Sequence, residues 1–272
     1  MSSRTRLLAA ALGVATLAIA CTKVPYTDRK QFNVIPKGTM NAMGKSAYKD
    51  ELAKATVVGS GDDVDRLHRV GRRIADRADE PDFAWESNLI RSEDINAWCL
   101  PGGYIGFYSG ILPVLQSEAG MAFVMGHEVG HAIAHHGAER MSEQLGVAGA
   151  LSLIDLALSG SGKLNKGQHE AVMAAIGLGA QYGIALPFSR AQEKEADVIG
   201  IMLMAEAGYP PKESIEIWDR MTKVAGKGPP AFLSDHPANA ARQDNLREWM
   251  PQARKKYERH KREGEDSLKV IW

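Results

Sequence analysis

The sequence predicts an α+β fold, mostly α-helical, with a small β-sheet beside one central helix. Three observations carry this. Apolar residues recur at three- and four-residue steps, most clearly at Val64, Leu67, Val70 and Ile74, the spacing of one helical face. Only two short runs, 83–91 and 97–108, are rich in aromatic and β-branched residues, the composition of strands. A third segment, Gln116 to about Glu143, is apolar around His127-Glu128-Val129-Gly130-His131 and reads as a largely buried helix.

Residues 1–20 form a targeting segment. Arg4 and Arg6 precede an apolar run, Leu7 to Ala20, that is too short to span a bilayer comfortably. Residues 21–61 are a loosely patterned lead-in with a short helix near Asn41 to Lys54. The main domain is expected over 62–250. It starts with an amphipathic helix, Asp62 to Asp79, stopped by Glu80-Pro81. Phe83 to Arg91 and Ala97 to Tyr108 are the strands, the second broken into a turn or bulge by Pro101-Gly102-Gly103.

After the central helix come two apolar stretches, 145–158 and 171–188, joined by a loop around 159–163. They read as core helices or a lid over a cleft, with dipping into a membrane surface as the alternative; neither is a convincing transmembrane span. Arg190 to Gly208 is the next helix, ended by Gly208-Tyr209-Pro210-Pro211, and Pro211 to Lys223 is another. Residues 251–272 are a charged tail or solvated helix.

Formal net charge is zero, so no basic face suggests nucleic-acid binding. The glycine-flanked Ser109 lacks a nucleophile elbow, so no serine-hydrolase arrangement competes.

H-E-x-x-H on a helix projects two imidazoles from one face, the spacing that grips one zinc ion, with Glu128 beside the open position. A histidine six residues after His131 is absent; Gly137 stands there. A third ligand is offered by Arg190-Ala191-Gln192-Glu193-Lys194-Glu195-Ala196-Asp197. Glu193 and Asp197 are four apart, so Glu193 can ligate while Asp197 accepts the free N–H of a ligating histidine. Lys194 and Glu195 fit an exposed, salt-bridged helix surface. His135 is expected near a cleft mouth, and His68, His136, His169 and His260 at the surface.

This combination resembles the HExxH/ExxAD gluzincin family of the CAAX prenyl protease, HtpX and BepA/YcaL/LoiP type, most closely its short bacterial periplasmic lipoprotein members. The resemblance covers roughly residues 22 to 250. It includes Asn96-Ala97-Trp98-Cys99-Leu100-Pro101-Gly102-Gly103 before the HExxH helix, Leu186 to Arg190 before the third ligand, and Ser234-Asp235-His236-Pro237 with Arg242 following. It implies a zincin-like metalloprotease domain holding one zinc per chain. Glu128 is the catalytic proton carrier, and His236 and Arg242 are transition-state or switch residues. Asn96, Ala97, Trp98 and Cys99 form a strand that pairs with extended substrate.

Ala18-Ile19-Ala20-Cys21 looks like a lipoprotein cleavage site, although leucine is usual where Ala18 stands. Cys21 is then the lipidated first residue. The implied location is the periplasmic face of the outer membrane, held by a lipid anchor, with a soluble periplasmic protein as the alternative. Only Cys21 and Cys99 are present, so no internal disulfide is expected, and Cys99 reads as a buried thiol.

The expected function is a zinc metalloendopeptidase acting on misfolded or unassembled envelope polypeptides in protein quality control. A second reading is a latent, chaperone-like assembly factor for outer-membrane proteins with a self-inhibited zinc site. A third, a structural zinc, would need a site closed by four protein ligands.

Overall fold

The structure, a computed structural model, describes residues 21–144, 188–225, 231–236 and 240–261. The chain divides into two compact units, Met1–Lys37 with Gly137–Ile184, and Gly38–His136 with Ala185–Trp272. In the first, β1 (Cys21–Lys23) and β2 (Lys30–Phe32) pair as an antiparallel hairpin. Arg29 there forks onto Glu139 at 2.5 and 2.8 Å, and Val34 N–H donates to Ser142 Oγ at 3.0 Å.

The second unit carries the HExxH segment. Helix α1 (Lys37–Lys54) is longer than the short helix expected near 41–54. In α2 (Asp62–Ala75), Val64, Leu67, Val70 and Ile74 are all buried, as their spacing predicts. Asp62, Asp63 and Asp65 lie in its first turn, where the helix dipole favours negative charge.

Strands β3 (Glu86–Ile90), β4 (Ala97–Leu100) and β5 (Tyr104–Tyr108) form a sheet in the order β3-β5-β4. β3 runs parallel to β5 and β4 antiparallel to it. The Pro101-Gly102-Gly103 break is a tight connection, made possible by positive φ at Gly102 (93°) and Gly103 (80°). The outer side of β3 is met by a bridge from Val57 to Ile90. β4 is the other edge, and no described strand pairs with its outer side.

A 3₁₀ turn (Ser109–Ile111) and a short α3 (Leu112–Leu115) lead to α4 (Glu118–Ile133), against which β4 lies. Ser117 caps α4 by accepting from Gly120 N–H at 2.9 Å. Every residue of α4 is buried, as its apolar flanks predict. The sequence predicts one continuous helix over 116–143; instead α4 stops at Ile133 and helix resumes at 136. The cause is His135, whose φ of 53° is left-handed and cannot continue a right-handed helix.

Helix α5 (Arg190–Glu206) has a full capping box: Ser189 Oγ accepts from Gln192 N–H, and Ser189 N–H donates to Gln192 Oε1. Gly208, at φ 86°, ends it, with Tyr209 N–H donating back to Met204 at 2.9 Å. Helices α6 (Glu213–Ala225), α7 (Ala231–Asp235) and α8 (Ala240–His260) follow. α8 runs through Pro251 with Ala253 and Tyr257 buried, so part of the expected tail is helix.

The architecture is therefore the mostly helical α+β fold with a small sheet beside the HExxH helix. The apolar segments at 145–158 and 171–187, the loop between them and His169 lie outside the described residues. No described helix is long and apolar enough to cross a membrane.

Candidate metal centre

Two helices must approach closely for a residue on α5 to reach the histidines of α4. Small residues allow it. A Cβ added at Gly126 would come within 2.9 Å of the Gly200 carbonyl oxygen, and one at Gly200 within 2.8 Å of the His127 nitrogen. This seam brings Glu193, in the first turn of α5, over the HExxH face.

Four buried side chains converge there: His127, His131, Glu193 and His236. His127 Nε2 lies 3.2 Å from His131 Nε2 and 3.2 Å from His236 Nδ1. Glu193 Oε1 is 3.0 Å from His236 Nδ1 and 3.5 Å from His131 Nε2. Ligands about 2.0–2.1 Å from a common zinc in tetrahedral array stand about 3.3 Å apart. The side chains thus fit a zinc ion, with three nitrogens and one carboxylate oxygen as donors.

The surroundings hold these donors in place. His127 Nδ1 lies 3.0 Å from Asp197 Oδ1, which fixes its proton on that side and leaves Nε2 bare toward the cluster. Arg242, 1% exposed, donates through Nε and Nη2 to both oxygens of Asp197 at 2.7 Å and contacts Glu193 Oε2 at 2.5 Å. Its guanidinium also lies 4.0 Å over the Trp218 ring. Phe188 stacks on His131 with ring centroids 3.7 Å apart.

Burial works to raise the Asp197 carboxyl, but the charge and hydrogen bonds of Arg242 outweigh it and hold the group low. Glu193 is likewise held low against its burial, by the His236 hydrogen bond and by Arg242. Burial, then the neighbouring histidines, pushes His131 well down, the neutral form a ligand requires. Burial lowers His127 too, opposed by Asp197. Glu128 and Glu193 together raise His236 against its burial.

Glu128 is buried, with Oε1 3.4 Å from His236 Nε2. His236 therefore turns Nδ1 to His127 and Glu193 and Nε2 to Glu128. Its backbone N–H donates to the Phe232 carbonyl, and Phe232 N–H donates to Ile95 O at 3.0 Å, tying α7 to the start of the edge strand. Asn96 directly precedes that strand and its carbonyl accepts from Tyr108 N–H. Ala97 is buried, and Trp98 and Cys99 are half-buried. Burial, then the negative charge of Glu128, pushes the Cys99 thiol up, so it stays protonated.

Sequence reasoning placed His127, His131, Glu193, Asp197, His236 and Arg242, and the structure brings all six together. It missed two residues. His136, expected at the surface, is fully buried 2.9 Å from His131, and Glu195, expected on an exposed charged face, is buried 3.0 Å from His136. The signal for His136 was its place in the same apolar segment as the HExxH pair.

Comparison with known proteins shows the family. The sequence model of peptidase family M48 matches residues 63–250. The chain is similar to the mitochondrial metalloendopeptidase OMA1 of Schizosaccharomyces pombe, at 33% identity over 86% of this chain and 68% of that protein. To the protein of that name in Saccharomyces cerevisiae the identity is 34%, over 64% of this chain and 49% of the other. A putative beta-barrel assembly-enhancing protease of Vibrio cholerae is 33% identical over 67% of this chain and 38% of its own length. The chain thus spans about two thirds of the first relative and half or less of the other two. These matches correct the expected location. The relatives matched at 33% and 34% in the two yeasts carry mitochondrial names, which overturns a lipid-anchored placement at the periplasmic face of a bacterial outer membrane, and equally its soluble periplasmic variant.

Proposed function

The chain belongs to peptidase family M48 and is a zinc metalloendopeptidase, and on that premise we propose that it cleaves extended segments of misfolded or unassembled proteins in quality control. The setting proposed is that of its mitochondrial relatives. The observation that carries the catalytic reading is the buried cluster of His127, His131 and Glu193 with Glu128 beside it.

In this reading His127, His131 and Glu193 hold the zinc. The ion, when bound, supplies Lewis acidity toward the scissile carbonyl and toward water. Glu128 takes the proton of the attacking water and passes it to the leaving nitrogen. Asp197 keeps the His127 proton on Nδ1, and Arg242 neutralises the two carboxylates that would otherwise be buried without counter-charge. The outer side of β4 receives the substrate backbone, adding a strand whose hydrogen bonds are indifferent to side-chain identity. That suits clients recognised by being unfolded.

One observation favours the latent reading as a regulatory state of the same enzyme. His236 supplies a fourth donor at ligand distance, where a catalytic site keeps a place for water. By donor count alone, four protein ligands would make a structural site. The buried Glu128 beside them and a strand edge that pairs with no other strand among the described residues, against the same helix, have no purpose in one. We therefore read His236 as closing the resting site, to be withdrawn with α7 when substrate arrives.

Casein cleavage by the zinc-loaded protein, alongside Glu128→Gln and His236→Ala, tests both readings. Glu128→Gln is expected to bind zinc yet cleave at most about a hundredth as fast, the usual scale of lost proton transfer. Cleavage at the wild-type rate would remove Glu128 from the mechanism. His236→Ala is expected to cleave faster; a loss instead would make His236 part of the catalytic machinery.

A further inference from the structure

Outside the cluster and outside the proton transfer just described, His136 and Glu195 are a buried ionisable pair against the cluster, 0% and 5% exposed. Burying a carboxylate and an imidazole is costly unless each satisfies the other. Their geometry is directional. His131 turns Nε2 to the cluster and Nδ1 to His136 Nδ1, at 2.9 Å. His136 turns its other nitrogen, Nε2, to Glu195 Oε2 at 3.0 Å.

We propose that Glu195 and His136 form a positioning relay that fixes the tautomer of His131 and aims its Nε2 lone pair at the metal. The proposal rests on the reading of His131 as a zinc ligand. The proton placement follows from donor and acceptor chemistry. An ionised carboxylate only accepts, so His136 donates from Nε2–H to Glu195. A neutral imidazole carries one proton, so His136 Nδ1 is left as an acceptor. His131 must then donate from Nδ1–H, and its Nε2 is bare. Without the carboxylate, His136 is free to carry its proton on Nδ1, which would drive the His131 proton to Nε2, where it competes with the metal.

The arrangement parallels the one at the other histidine. His127 has Asp197 directly on Nδ1 at 3.0 Å. Glu195 lies about 200° around the helix from Glu193, so it cannot reach the same face of the cluster. The second imidazole spans that gap. His136 is placed to do so by the left-handed turn at His135, two residues beyond the end of α4 at Ile133.

The test is zinc affinity of the full chain, measured by competition with a chromophoric chelator at fixed pH, together with the melting temperature of the zinc-free protein. Glu195→Ala is expected to weaken zinc binding about 10- to 100-fold, the range for loss of such an outer partner. Glu195→Gln, whose amide oxygen still accepts from His136, is expected to restore most of it. His136→Phe, which keeps a ring of similar size, is expected to match Glu195→Ala, and the double variant to be no worse than either alone. A merely structural pair would lower the zinc-free melting temperature and leave zinc affinity unchanged, which would overturn the relay; additive losses in the double variant would do the same. His131→Ala separates this failure from that of the metal reading. If it loses zinc while Glu195→Ala keeps it, only the relay fails. If the wild type binds no zinc, or His131→Ala binds as the wild type does, the ligand assignment fails and the relay with it.

Discussion

Asp197 is fully buried, gripped on both oxygens by Arg242 and touched by His127 Nδ1 at 3.0 Å. Removing its charge leaves a buried guanidinium in contact with Glu193 and otherwise answered by the more distant charge of Glu128. Asp197→Asn is therefore expected to destabilise the zinc-free protein by about 3–5 kcal/mol, the usual cost of breaking a buried pair from one side. The pH dependence has a definite sign. The folded carboxyl is held below its ordinary value of 3.8, so the stability it lends is complete above that value and fades as pH falls further. Urea melts of the zinc-free wild type are expected to weaken below about pH 4, and those of Asp197→Asn to lose part of that dependence. Identical acid profiles would remove Asp197 from the account. Asp197 was legible in the sequence because an acid embedded in the apolar stretch 196–201 needs a partner to offset its burial, and Glu193 because it stands four residues before it, on the same helix face. Glu195 was not, because a Lys-Glu pair beside them looks like ordinary solvated helix surface. Only the fold shows that His136 waits behind it.

At the level of elements, the site depends on how near α4 and α5 lie. Gly126 and Gly200 face one another with no room for a methyl group. Gly200→Ala is expected to cost roughly 1–3 kcal/mol by overpacking, although alanine is the better helix former. It should also weaken zinc binding, since Glu193 rides on the displaced helix. A denaturant midpoint and zinc affinity both equal to wild type would mean the seam is looser than described. Helix α2 was legible from its periodicity and the Pro-Gly-Gly break from its turn chemistry, whereas α7 and the first half of α8 carried no such signal. The break after Ile133 was not, because left-handed backbone at a histidine carries no Gly or Pro signal. The sheet order was equally hidden. Pairing of β3 with β5, which leaves β4 at the edge, is a long-range choice that local pattern does not encode.

For the molecule as a whole, the metal joins parts of the second unit that are distant in sequence: α4, α5 and the residue that follows α7. Zinc at about 1,000 times its dissociation constant stabilises a folded protein by about 4 kcal/mol. At roughly 2–4 °C per kcal/mol, chelation is expected to lower the melting temperature by about 10 °C, seen by calorimetry with and without a chelator. No shift would show that the metal does not hold these helices together. The order of the parts along the chain has a further consequence. The two histidines come first, Glu193 follows 62 positions after His131 (131 to 193), His236 stands 43 positions beyond that, and Arg242 comes later still. A ribosome that has made the HExxH helix has made only a pair of imidazoles, with no carboxylate to complete the grip and no guanidinium to balance it. In the proposed reading the ligand set is complete only once Glu193 is made and its counter-charge only once Arg242 is, later than His236, so the charge-balanced site cannot form before the residue proposed to restrain it.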